Sequence, residues 1–75
     1  MKHARQDYDR IQDPQHKIPQ DEPVFLLRAQ DVLAAPILEL YAFMASLANR
    51  PDIAELILQH AKLMQQWPTK KIPDL

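Results

Sequence analysis

A mainly α fold is predicted: an antiparallel helical hairpin carrying an extended N-terminal arm and one short strand-like segment, completed by oligomerisation. Three observations predict it. Apolar residues recur at helical spacing through residues 35–67, glycine is absent from all 75 positions, and seven prolines punctuate the chain instead. Without glycine, two-residue hairpin turns that need positive φ are disfavoured, so strands joined by tight turns are not expected.

The arm comes first. Residues 1–23 are polar and broken by Pro14, Pro19 and Pro23, with Tyr8, Ile11 and Ile18 the substantial apolar side chains available to staple it to a core. Such a stretch does not drive folding by itself. Asp21 and Glu22 are expected to shape a turn before Pro23.

Residues 24–67 hold the folded part, with a Pro-containing tail at 68–75. Val24, Phe25, Leu26 and Leu27 make a short apolar run, and the pre-proline position before Pro23 favours extended backbone. A strand here needs a mate: residues 8–18, a partner, or a second copy.

A first helix is expected from about Ala35 to Asn49, with Pro36 in its opening turn. Ile37, Leu40, Tyr41, Met44, Leu47 and Ala48 share one face, and Leu38, Ala42 and Ala45 make a second apolar stripe. Phe43 sits between Glu39 and Ser46 on the remaining face. A helix apolar on nearly every side is buried on more than one side, and one partner helix cannot cover it.

A second helix is expected from Pro51 to about Trp67, where Pro68 ends it. Asp52 and Glu55 favour its N-terminal dipole. Glu55, Gln59, Lys62 and Gln66 form a polar stripe. Ile53, Leu56, Ile57, Ala61, Met64 and Trp67 are expected to face the core, flanked by Leu58 and Leu63. The short turn at Asn49–Arg50 implies a hairpin. Lys17-Ile18-Pro19 and Lys71-Ile72-Pro73 repeat a phrase, so the two segments could dock alike.

Function is narrowed mainly by exclusion. The chain has no cysteine, hence no disulfide and no thiolate metal site. Missing glycine removes the dinucleotide and P-loop phosphate motifs. Nine Lys and Arg against ten Asp and Glu give no global field toward nucleic acid or an anionic membrane. The polar N-terminus is unlike a secretory signal, so a cytoplasmic location is expected. Ser46 lies mid-helix with no His one turn away, and His3, His16 and His60 are not spaced as ligands. No catalytic residue, metal site or cofactor is assigned, and the chain is read as a non-enzyme.

The segment Asp21-Glu22-Pro23-Val24-Phe25-Leu26-Leu27-Arg28-Ala29-Gln30-Asp31 places polar groups directly after an apolar run. On extended backbone Arg28 and Gln30 share a face, and arginine offers a planar donor fork suited to phosphate or carboxylate. Equally, Arg28 can pair with Asp31, Glu22 or a carboxylate of another copy. This string resembles a group of small proteins of tailed bacteriophages and prophages. The resemblance extends over residues 8–75, through Tyr8-Asp9-Arg10-Ile11-Gln12-Asp13-Pro14 and the Lys-Lys-Ile-Pro-Asp ending. It implies a source, and with it the bacterial host cytosol, but no mechanism.

Two functions are therefore expected to compete. In one, the chain is a homo-oligomer acting through protein contact, able to block a host protein, with Val24, Phe25, Leu26, Leu27, Leu38 and Phe43 at the interface. In the other, it resembles phage proteins that sequester nucleotide signals of host defence between subunits. Arg28 and Gln30 would then hold the anion, with Arg10, Lys70 or Lys71 closing the site, and Asp31 is a further candidate for ligand or partner binding. Nucleic acid is set aside, because the second helix carries two acids and one lysine where a basic face is needed.

Overall fold

The computed structural model describes residues 2–3 and 13–73. It is mainly helical. Strand β1 (Lys2–His3) and strand β2 (Pro23–Val24) pair in parallel over two residues each. Helix α1 (Ala34–Leu47) and helix α2 (Pro51–Gln66) follow and pack against each other. Tyr8 and Ile11, expected to staple the arm, lie outside the described residues.

From 13 to 22 the chain turns rather than running extended, and the cause is local. The Asp13 carboxylate accepts hydrogen bonds from the backbone N–H groups of Lys17 (3.1 Å) and Ile18 (3.0 Å). His16 N–H donates to the Asp13 carbonyl, at a His16 φ of 51°. A second turn is closed by Glu22 N–H donating to the Pro19 carbonyl at 3.2 Å, so Asp21 and Glu22 do lie in the turn before Pro23. The strand that follows takes in only Val24 of the apolar run, and its mate is Lys2–His3 rather than residues 8–18.

Helix α1 starts without a side-chain cap on Leu33. Asp31 organises the approach instead: its Oδ1 accepts from Leu33 N–H at 2.8 Å and its carbonyl from Ala34 N–H at 3.0 Å. Pro36 falls in the first turn, where a missing N–H costs nothing. The C-terminus is a Schellman closure. Asn49 N–H donates to the Ser46 carbonyl and Arg50 N–H to the Ala45 carbonyl, with Asn49 at φ 63°. Asparagine is the residue after glycine that best tolerates this left-handed conformation, which is how a chain without glycine still turns here. Pro51 then opens α2 at once.

Helix α2 has Asp52 in its first turn. The Arg50 guanidinium donates to both Asp52 oxygens, at 3.2 and 3.1 Å. That pair, aided by the Ile53 N–H, holds the Asp52 carboxyl below its usual range. Glu55 and Gln59, on the exposed polar stripe, hydrogen-bond at 3.1 Å. Trp67 ends the helix in extended backbone ahead of Pro68.

The core is made of small side chains. Ala34, Ala35, Ala42, Ala54, Ala61 and Met64 are buried, and no large side chain among the described residues is fully enclosed. On α1, half-buried Leu38 and Ala45 belong to the stripe of Ala42. On α2, half-buried Ile53 and Ile57 join Ala54, Ala61 and Met64. This corrects the expected core face of α2: Leu56 and Trp67 are 67% and 53% exposed. Alanine lets two helices approach closely, and the larger residues on either side of the contact are then carried outward. The two Lys-Ile-Pro phrases also differ, since Ile18 is half-buried and Ile72 is exposed.

Candidate functional site

Two places on the molecule gather unusual side chains. The larger is the outward face of α1. Leu33, Ile37, Leu40, Met44 and Leu47 recur at alternating spacings of four and three residues, and all are between 45% and 73% exposed. Tyr41 and Phe43 flank this stripe and are also exposed. The stripe that carries Ala42 and Ala45 lies on the opposite side of the helix. So α1 is apolar on both sides, and α2 covers one of them. Glu39 is the single charged residue in the helix. On α2, Leu56, Leu63 and Trp67 line up one flank of the buried stripe.

The smaller place is a junction between residues 28–31 and 70–71. Asp31 and Lys71 form an isolated parallel bridge, with Lys71 N–H donating to the Gln30 carbonyl at 2.7 Å and Val32 N–H to the Lys71 carbonyl at 3.1 Å. The Lys70 ammonium donates to the Ala29 carbonyl at 2.8 Å and to the Met64 carbonyl. Met64 is in the last turn of α2, where its carbonyl also accepts from Trp67 N–H at 3.2 Å and the helix dipole favours a cation. Lys70 therefore ties the tail to both the end of α2 and the segment before α1.

Of the ligand- or partner-binding candidates, Gln30, Asp31, Lys70 and Lys71 are brought together, and Arg28 stands just before them, exposed. Gln30 and Asp31 are half-buried. Arg10 lies outside the described residues. Of the interface candidates, Phe25, Leu26 and Phe43 are exposed, while Val24 and Leu27 are half-buried. Leu38 is half-buried on the stripe that includes Ala42, which sets it on the inner side of α1.

Sequence reasoning missed Leu33, and it did not separate the roles of the two α1 stripes. A signal existed. The alanines at 34, 35, 42 and 45 segregate from the large residues at 33, 37, 40, 44 and 47. The capping role of Lys70 carried no local signal, because its acceptors are distant in sequence.

Among the described residues no group of three His, Asp or Glu could hold a metal ion, and no helix is long and apolar enough to cross a membrane. No protein-family model, curated protein or solved structure matches the chain.

Proposed function

We propose that this chain is a non-enzymatic accessory protein of tailed-phage type, acting in the host cytosol as a homo-oligomer through protein–protein contact and able to block a host protein. In this reading α1 and α2 run antiparallel as a hairpin, which a three-residue connection between packed helices favours. The observation that carries it is the outward α1 stripe of Leu33, Ile37, Leu40, Met44 and Leu47. Apolar area left in water forgoes about 25 cal/mol per Å², and contiguous exposed apolar patches of this kind mark interaction sites. Light scattering at low micromolar concentration should give a multiple of 8.7 kDa. A compact monomer would defeat the reading. Blocking of a host protein is tested by co-purification from a bacterial lysate, which substitution of Leu40 by lysine should abolish.

A second reading is favoured by the junction at 28–31 and 70–71, which brings the chain just after Arg28 beside Lys70 and Lys71. There the protein would sequester a small nucleotide-type anion. Thermal shift against cyclic di- and trinucleotides and cyclic ADP-ribose isomers tests it, and no stabilisation by any of them would end it.

A further inference from the structure

Numbered as a heptad, Leu33, Ile37, Leu40, Met44 and Leu47 occupy successive d, a, d, a and d positions, and all five are exposed. The buried or half-buried Ala35, Leu38, Ala42 and Ala45 fall at f and b, across the helix axis from that seam. A seam of this spacing is what one helix offers another for knobs-into-holes packing. Helix α2 does not take it, since it lies on the other side. We infer that the occupant is α1 of a second copy, packed seam to seam about a two-fold axis. This deepens the homo-oligomeric reading and rests on it.

The physical case has three parts. First, the five seam residues and the flanking Tyr41 and Phe43 are each between 45% and 73% exposed, so a symmetric contact there would take seven large apolar side chains per copy out of water. Second, the seam is uncharged along its length, so a self-contact meets no like-charge repulsion. Aromatic Tyr41 and Phe43 at the flanking e and g positions widen it, as a multi-helix contact requires, where two-stranded coiled coils commonly carry charges. Third, a membrane surface fits poorly: helices lying on membranes carry Lys and Arg on their polar face, and α1 has neither. Another protein is the remaining occupant. A core built from alanines and one methionine needs cover as soon as the chain is made, and another copy is the one partner always present in equal amount.

The absence of native cysteine allows a direct test. Leu40→Cys and Met44→Cys are made in the full chain and oxidised separately and as an equimolar mixture, with Gln59→Cys on the polar stripe of α2 as control. Facing seam positions come within disulfide reach, so most of the chain should run as a reducible two-copy band in at least one of the three seam arms. The Gln59→Cys chain should stay single. Sedimentation of the unmodified protein is run alongside. A two-copy or larger mass with no seam cross-link, or with Gln59→Cys linking as well as the seam, overturns the α1 pairing and leaves the oligomer standing. A mass of one copy removes both.

Discussion

Helices α1 and α2 are alike in length and each buries a stripe of small residues, yet they treat their remaining surface differently. Helix α2 turns Glu55, Gln59, Lys62 and Gln66 outward, and its surplus apolar residues Leu56, Leu63 and Trp67 sit on one flank. Helix α1 turns a full heptad seam outward and has one charged residue. Thus α2 is the face a solvated helix presents, and α1 is apolar on two sides, of which α2 covers one. The contrast separates what holds the pair of helices together from what they leave exposed: alanines do the first, and large aliphatics are the second.

The largest way to break that contrast is to charge the seam. Leu40→Lys with Met44→Lys should cost about 3 kcal/mol of association or more, at least a hundredfold in dissociation constant, seen by sedimentation. The helical signal of the separated chain should melt at lower temperature. The same double change at Leu56 and Leu63 should weaken association less, because that flank holds fewer large residues. If the two pairs behave alike, the distinction between the helices is wrong.

Overfilling the inner contact comes next. Ala42 and Ala61 are 1% and 2% exposed, so Ala42→Leu should force the helices apart and destabilise by about 1–3 kcal/mol in thermal or urea unfolding. Ala48→Leu, outside the helix on an exposed position, should change little. Lys70→Met removes two charge-assisted hydrogen bonds to the Ala29 and Met64 carbonyls. It should cost about 1 kcal/mol and raise amide exchange at the end of α2 more than in α1.

The smallest effect is expected at Asp52, whose carboxyl is held low by Arg50 and the Ile53 N–H. A depressed carboxylate stabilises the fold above its unfolded value of about 3.9 and loses that contribution as pH falls through the folded value. Asp52→Asn should lower the melting temperature slightly at neutral pH, and the difference should close once the solution is acidified below the folded value. A difference that persisted there would assign the effect to something other than the charge.

The helices and most of their ends were legible from the sequence because their causes are local. Pro36 and Pro51 fit only first turns and Pro68 stops a helix, whereas α1 was expected to reach Asn49 and ends at Leu47, with Asn49 in the left-handed conformation that closes it. The side of each helix that would be buried was less legible. Periodicity counts apolar residues and does not say whether a stripe of alanines or of leucines goes inward, so Leu56 and Trp67 were assigned to the core and stand exposed. Close approach decided that choice, and it depends on the mate. The pairing of Val24 with His3 and the reach of Lys70 to Ala29 span many residues. Neither leaves a mark in local pattern. Of the site, Gln30, Asp31, Lys70 and Lys71 were named from their residue types, but neither their meeting within one chain nor the use of Lys70 as a cap was legible.

One consequence of the alanine-lined contact reaches beyond stability. Since the inner seam relies on methyl groups at 42, 54 and 61, the residues at 37, 40, 44 and 47 can be exchanged without disturbing how the two helices meet. The outward aliphatics and the contact between the helices thus stand on separate positions of the same rod. Aliphatic swaps on the outer side would leave the shape of the scaffold beneath unchanged.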